Sequence, residues 1–505
     1  MEVRMQASLA RVSQWLDRAE DCPPPLPPQG HLPCGGKECT PCPLPAPPPA
    51  LLRLPQELLH LILSLLPFPD LKHAALTCRQ LQAAATHPAL WAAFTPVLSP
   101  TNLHHLAELL AVPRLARSGS LRVQGCRLQA RHVASLLRSS VTSITLGEAH
   151  NLAKDVEVAA VPSTLLASLA TKVSELRLHS SLLHQLSELQ VLTLTNQMDH
   201  PTSKLRKLEI FYDNQLSSLP RYTLARAFAS LTHLSLVFQR LGPDHYNSLL
   251  AEVAGGRSNL TALRLPGNPL AKVDPKLLAG AVATLTRANL SDTRLSALHL
   301  HTLLANLDSG TKLRHLDISH NGSMRQVGVE VMARLARVSD VDLKFCRLTR
   351  QQVAALLKAV VTPTSSLSTL SLVGNTTVGA QEATLLATAV HHLASCNLYA
   401  TNLSLGHITA ILTHHHTSNL NTLDLGGNNL SGLDPETWQP LLSRLSHLSL
   451  YHCHLPLHHQ LAMLASLTST SRLLTLDLGG NEEGVTMEVI RAAEDGRRRV
   501  IVNQL

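Results

Sequence analysis

The chain has 505 residues, of which 45% are hydrophobic, 15% charged and only 3% aromatic. Its core is therefore aliphatic, and the composition excludes a wholly disordered polymer. Forty-three Lys and Arg against 35 Asp and Glu give a formal charge of +8, which permits an anionic partner without indicating one, so neither nucleic acid nor a membrane is expected.

Residues 1–21 carry Val3, Leu9, Val12 and Leu16 at mostly helical spacing with Trp15 beside them, which predicts an amphipathic helix that docks on its own domain or on a partner. Both charge signs in this stretch argue against a secretory signal. No run of 18 apolar residues appears anywhere. Nine mostly isolated cysteines point to reduced thiols, and so to the cytoplasm and/or the nucleus. Residues 22–50 are a Pro-rich linker. Within it His31, Cys34, Cys39 and Cys42 have spacings compatible with zinc. With no flanking core to hold four ligands together, ordinary thiols are the preferred reading, and no metal or other cofactor is assigned.

Residues 51–95 read as three short helices. Leu54 and Pro55 open the first, where a missing amide costs least, and Leu58, Leu59, Ile62 and Leu63 form its apolar face before Pro67 ends it. Asp70 caps a second helix carrying Leu71, Ala75, Leu76 and Cys78, and a third follows His87 with Leu90, Trp91 and Phe94. A connector is expected over 96–117.

From Ser118 to the last residue the dominant signal is self-similarity, LxxLxLxx(N/C/T)xL. Nine clean units start at Leu260, Leu285, Leu313, Val338, Leu367, Leu393, Leu420, Leu445 and Leu473. Steps of 25 to 29 residues alternate into a two-unit period of about 54. The ninth position alternates with them: Asn268, Thr293, Asn321, Cys346, Asn375, Thr401, Asn428, Cys453, Asn481. A small polar group there would satisfy backbone groups buried where the chain leaves the strand. Weaker units start at Leu205 and Leu231. Residues 141–205 are irregular, with strands expected around Leu146, Leu178 and Leu194. His414–His416 and the cluster His452, His454, His458 and His459 read as chance grouping among 28 histidines, and Arg497–Arg499 as a solvated helix end.

The repeats resemble the leucine-rich repeats of the ribonuclease-inhibitor type, in which Asn-type and Cys-type units alternate. The resemblance implies an α/β solenoid, a horseshoe with a parallel sheet inside and helices outside. On such strands the third, fifth and seventh residues face the concave side. Aromatics are scarce, so Phe211, Tyr399 and Tyr451 in the seventh column are candidate substrate contacts, the two tyrosines as raised rings about Gly426 and Gly479. Asp317, Asp342, Asp424 and Asp477 in the fifth column read as background of this repeat type.

Residues 54–94, with Leu54-Pro55, Asp70-Leu71, Cys78-Arg79 and Leu90-Trp91 in order, resemble an F-box. That resemblance implies docking on the Skp-type adaptor of a cullin-containing ubiquitin ligase through Leu54, Pro55, Leu58, Ile62, Leu71, Cys78 and Arg79. The repeats would then hold a protein substrate. Catalysis would reside in other subunits, and no nucleotide, metalloprotease or hydrolase motif is present. The alternative is a non-ligase binding scaffold or inhibitor whose N-terminal helices only cap the solenoid.

Overall fold

The computed structural model describes residues 59, 62–63, 74, 77–78, 81, 83–84, 97–98, 119–124, 127–147, 161–178, 186–211, 215–239, 241–308, 310–413, 418–467, 472–481 and 501–503. The chain divides into two compact units, 1–146 and 147–505.

In the first unit Leu59, Ile62, Leu63, Ala74, Thr77, Leu81, Ala83 and Ala84 are helical. Leu59 and Leu63, one helical turn apart, are buried together with Ala84, so they are core, whereas Ile62 is half-buried. Cys78 lies outside the helix the sequence pattern gave it, and its Sγ accepts the amide of Leu81 at 3.4 Å. Strands β1 (Val97–Leu98), β2 (Ser120–Val123) and β3 (Ser143–Leu146) pair in parallel in chain order. β1 falls in the expected connector, where Val97 stands opposite Arg122, so sheet pairing starts before the first recognisable repeat.

The second unit holds thirteen described strands, all parallel and neighbours in chain order: β4 (Glu175–Leu178), β5 (Lys207–Phe211), β6 (His233–Val237), β7 (Ala262–Arg264), β8 (Arg287–Asn289), β9 (His315–Asp317), β10 (Asp340–Asp342), β11 (Thr369–Ser371), β12 (Ser395–Asn397), β13 (Thr422–Asp424), β14 (His447–Ser449), β15 (Thr475–Asp477) and β16 (Ile501–Asn503). β16 starts two residues beyond Arg497–Arg499, which lie outside the described residues. From β7 to β15 each third residue pairs with the third residue of the next unit, as Asp340 with Thr369 and Thr369 with Ser395. Register therefore follows the repeat: a one-residue slip would turn every core leucine outward. Helices such as Arg350–Val360 and Ala383–His392 link successive strands and bury Leu356, Leu357, Leu386 and Val390.

The irregular segment resolves into whole but longer units. Strands start at Ser143, Glu175 and Lys207, with helices Ser163–Lys172 and Glu188–Met198 between them. Leu146 and Leu178 lie in strands as expected, but Leu194 is helical. The stretch LQVLTLT mimics strand alternation, yet Val191, Leu194, Thr195 and Met198 share one buried helical face. Ser187 and Gln190 form a capping box at its start.

The ninth-position alternation has a geometric cause. Asn375 donates to Leu343 O (2.8 Å) and accepts from Leu348 N (3.1 Å), so its amide closes the turn of the preceding unit as well as its own. Asn321 and Asn428 repeat both bonds on the units before them. A Cys or Thr side chain bonds nearby carbonyls instead, Cys346 Sγ with Ile318 O, Cys453 Sγ with Leu425 O and Tyr451 O, and Thr293 Oγ1 with Leu290 O. One two-sided amide serves each pair of units.

A second ladder recurs every 53 to 55 residues, at the start of the helix following alternate units: Gln190, His245, His299, Gln352 and His407. Each side chain bonds a carbonyl of the preceding unit, as His299 Nε2 with Val273 O (2.7 Å) and Gln352 Nε2 with Val327 O (2.7 Å). These three histidines are thus structural.

His391 is also buried, with Nε2 against Ile411 O and Nδ1 against the Ser418 hydroxyl. Burial holds its imidazole below the usual range. Unfolded it titrates near 6.5, so its contribution is complete above about pH 6.5 and drains away as pH falls toward the depressed folded value. His132, His233 and His459 are shifted in the same direction, again chiefly by burial. The melting temperature is expected to be lower at about pH 5.5 than at about pH 7.5, with His391→Gln removing part of the drop. An unchanged or higher melting temperature in acid would contradict this.

Candidate protein-binding face

Strand alternation sends the fourth and sixth residues of each unit into the core and the third and fifth to the opposite face of the sheet. On β4 to β8 that face carries Glu175, Arg177, Lys207, Glu209, His233, Arg264 and Arg287. Arg177 bridges Glu175 (2.7 Å) and Glu209 (3.3 Å), and with Arg264 at 3.9 Å from Glu209 and Lys207 and Arg287 beside them the two carboxylates are outnumbered by four cations. Lys207 and Arg287 both help to depress the His233 pKa, after burial, so their fields converge there. On β9 to β15 the same columns carry Asp317, Asp340, Asp342, Asp424 and Asp477. Burial raises the Asp424 carboxyl above its usual range, and Asp477 adds to the shift.

Between β7 and β12 this face is hollowed into a groove of about 580 Å³. Its carboxylates are held in place: Asp317 accepts from Asn289 (2.8 Å) and the Ser319 hydroxyl (2.6 Å), Asp342 pairs with Lys344 (2.9 Å), and Asp340 pairs with His315. Among the described residues no group of three His, Cys, Asp or Glu is placed to hold a metal ion. The histidines at 414–416 and the set His31, Cys34, Cys39 and Cys42 lie outside those residues.

The aromatic candidates are not brought together. Phe211 on β5 and Tyr399 after β12 are seven strand spacings apart, about 34 Å at about 4.8 Å each. Tyr399 and Tyr451 are two spacings apart, and both are half-buried. The ground between them is filled, because the Tyr399 ring lies over the glycines of the next unit, 2.7 Å from where a Gly426 Cβ would sit. Tyr451 packs edge-on against His452 at 4.2 Å.

The eighth position escaped the sequence reading. Gly267, Asp292, His320, Phe345, Gly374, Ala400, Gly427, His452 and Gly480 all have φ between 52° and 71°. The exposed rings of Phe238 and Phe345 cover Gly267 and Gly374 of the next unit, and His452 covers Gly480. The recurrent Gly at this position in Asn-type units was the available signal. Gly374→Ala would keep φ at +69° and place a Cβ 2.3 Å from the Phe345 ring, so a loss of about 2 kcal/mol is expected in denaturant unfolding. A loss below about 0.5 kcal/mol would show that the ring swings clear freely.

Burial pushes the thiols of Cys346, Cys396 and Cys453 up to about 12. They are expected to resist a maleimide in the folded chain and to react once it is unfolded, as mass spectrometry of labelled peptides would read. Labelling of any of the three under native conditions would contradict their burial.

Of the adaptor-contact candidates, Ile62 and Cys78 are half-buried, and Leu54, Pro55, Leu58, Leu71 and Arg79 lie outside the described residues. No helix among the described residues is long and apolar enough to cross a membrane.

The period, the parallel register and the buried turn amides define a leucine-rich-repeat solenoid. The F-box-like family model matches residues 51–95, and the Leucine Rich Repeat model matches residues 419–441. The chain thus joins an F-box-like segment to leucine-rich repeats. No curated protein sequence matches it. Among solved structures it is similar to a chain of the yeast Rad7 and Elc1 complex, at 16% identity over 86% of this chain and 93% of that one (TM-score 0.45). It is also similar to LegL7 of Legionella pneumophila, at 21% over 51% and 86% (TM-score 0.35), and to a leucine-rich-repeat protein of Leptospira interrogans, at 19% over 69% and 78% (TM-score 0.37).

Proposed function

We propose that this chain is the substrate-recognition subunit of a Skp-cullin-F-box ubiquitin ligase, working in the cytoplasm and/or the nucleus. The observation that carries the reading is the order of parts: an F-box-like segment at 51–95 followed by repeats that present a long polar sheet face. Both kinds of module bind other proteins and are typically non-catalytic. The F-box-like segment docks on the Skp-type adaptor through Leu54, Pro55, Leu58, Ile62, Leu71, Cys78 and Arg79, and the adaptor links it to the cullin. The sheet face holds the protein to be ubiquitinated, with Phe211, Tyr399 and Tyr451 as its aromatic contacts. Thioester and transfer chemistry belong to other subunits.

The test is capture of adaptor and cullin by the full chain beside a Leu54→Ala/Pro55→Ala/Leu58→Ala variant. Capture by the wild type and loss of at least tenfold in the variant are expected. A folded wild type that captures no adaptor would sink the ligase role and favour a binding scaffold capped by its N-terminal helices.

A further inference from the structure

We infer that the groove across β7 to β12 is a docking site for an extended protein segment of mixed charge, its acidic side chain on Arg264 and Arg287 and its basic side chain on the carboxylates of β9 and β10. The inference deepens the receptor reading and rests on its assignment of partner binding to the sheet face.

Three observations carry it. The first is the division of charge along the groove. Arg264 and Arg287 are exposed on β7 and β8; Arg264 has a distant partner in Glu209 at 3.9 Å. On β9 and β10 three aspartates are offset by a single lysine, Lys344. Two positive charges therefore stand beside a net two negative ones on one face. A polyanion would meet the aspartates and a polycation the arginines, so only an occupant bearing both signs satisfies the whole groove.

The second is a hydroxyl in the groove wall without a partner. Ser371 on β11 is 9% exposed, lines the groove, and its Oγ has no hydrogen-bond partner. Its strand neighbours in the same column, Asp342 and Asn397, hold their own partners, Lys344 and the amide of Tyr399. A buried hydroxyl left unpaired costs free energy that a docked polar group would recover.

The third is shape and scale. The hollow of about 580 Å³ is lined by residues from β7 through β12 and takes several side chains rather than one. The arginines stand two to three strand spacings from β10, about 10–14 Å at about 4.8 Å each. An extended segment advances about 3.4 Å per residue, so its acidic and basic side chains would be three to four residues apart.

The test measures fluorescence anisotropy of the full chain with three labelled Gly-Ser peptides. One carries a Glu pair and a Lys pair four residues apart, one only Glu at those positions, and one only Lys. The wild type is expected to bind the mixed peptide at least tenfold more tightly than either other, with the preference fading as salt rises. Arg264→Glu/Arg287→Glu, a change confined to exposed side chains, is expected to move the preference to the Lys peptide. Asp340→Lys/Asp342→Lys is expected to move it to the Glu peptide. Ser371→Leu, which fills the groove without altering charge, is expected to weaken the mixed peptide at least fivefold. Equal binding of all three peptides by the wild type, or an unmoved preference in both charge variants, would overturn the inference. Adaptor capture by the wild type keeps the two readings apart: no peptide selectivity with capture intact refutes the groove alone, and selectivity without capture refutes the ligase role alone.

Discussion

Asn375→Ala is expected to cost about 3–5 kcal/mol of stability, among the largest losses any single surface-neutral change in this chain would give. The side chain is buried and donates to Leu343 O, Leu372 O and Val373 O while accepting from Leu348 N. Alanine leaves Leu348 N buried without a partner, at about 1–3 kcal/mol, and strips a side-chain bond from carbonyls that keep only a backbone donor, such as Leu343 O with Cys346 N, at about 0.5–1.5 kcal/mol each. The matching change in a Thr-type unit, Thr401→Val, removes a single bond to Leu398 O and should cost about 1 kcal/mol. Denaturant midpoints of the two variants measured side by side decide the matter, since the argument requires Asn to cost several times more than Thr. Comparable losses would mean that the ninth position matters for its size and not for its two-sided bonding.

Trp438→Ala should be similarly severe, about 3–5 kcal/mol from the cavity left by the largest fully buried side chain among the described residues. Trp438 closes the short 3-10 helix Pro435–Trp438, which Asp434 caps through the amide of Glu436 at 3.0 Å. Its indole N–H has no hydrogen-bond partner, so the polar edge adds nothing to the packing. Trp438→Phe keeps most of the volume and sheds that donor, and about 1 kcal/mol is expected. If the phenylalanine variant is as unstable as the alanine one, the site needs the indole itself and the packing account fails.

The repeats were legible in the sequence because the leucine positions and the ninth-residue alternation are enforced by burial at every unit, and burial leaves the same mark each time. Leu194 was misread because seven residues of alternating LQVLTLT satisfy a two-residue period as well as a helical one. The capping pair Ser187 and Gln190 decides between them, and its N-cap Ser187 lies outside that window. β1 was missed because two residues, Val97 and Leu98, carry too little pattern to mark a strand, and pairing with β2 supplies what the sequence does not.

The candidate face was only half visible. The fifth-column aspartates looked like repeat background taken one column at a time; their meaning depends on Arg264, Arg287 and Asp340 standing beside them, which only the register of β7 to β10 reveals. The tyrosine column was legible, but the filling of the space beside Gly426 by the Tyr399 ring was not, because it depends on side-chain direction between units.

The two-sided amides also set where this solenoid can be interrupted. Leu348 N, in a Cys-type unit, finds its partner in Asn375 of the unit that follows, and Leu343 O takes its second donor from the same amide. A chain shortened to end on a Cys-type or Thr-type unit would expose those groups at its new terminus, whereas one ending on an Asn-type unit carries its own closure. Growth or loss by whole pairs of about 54 residues preserves every such bond, so the unit of inheritance in this architecture is the pair.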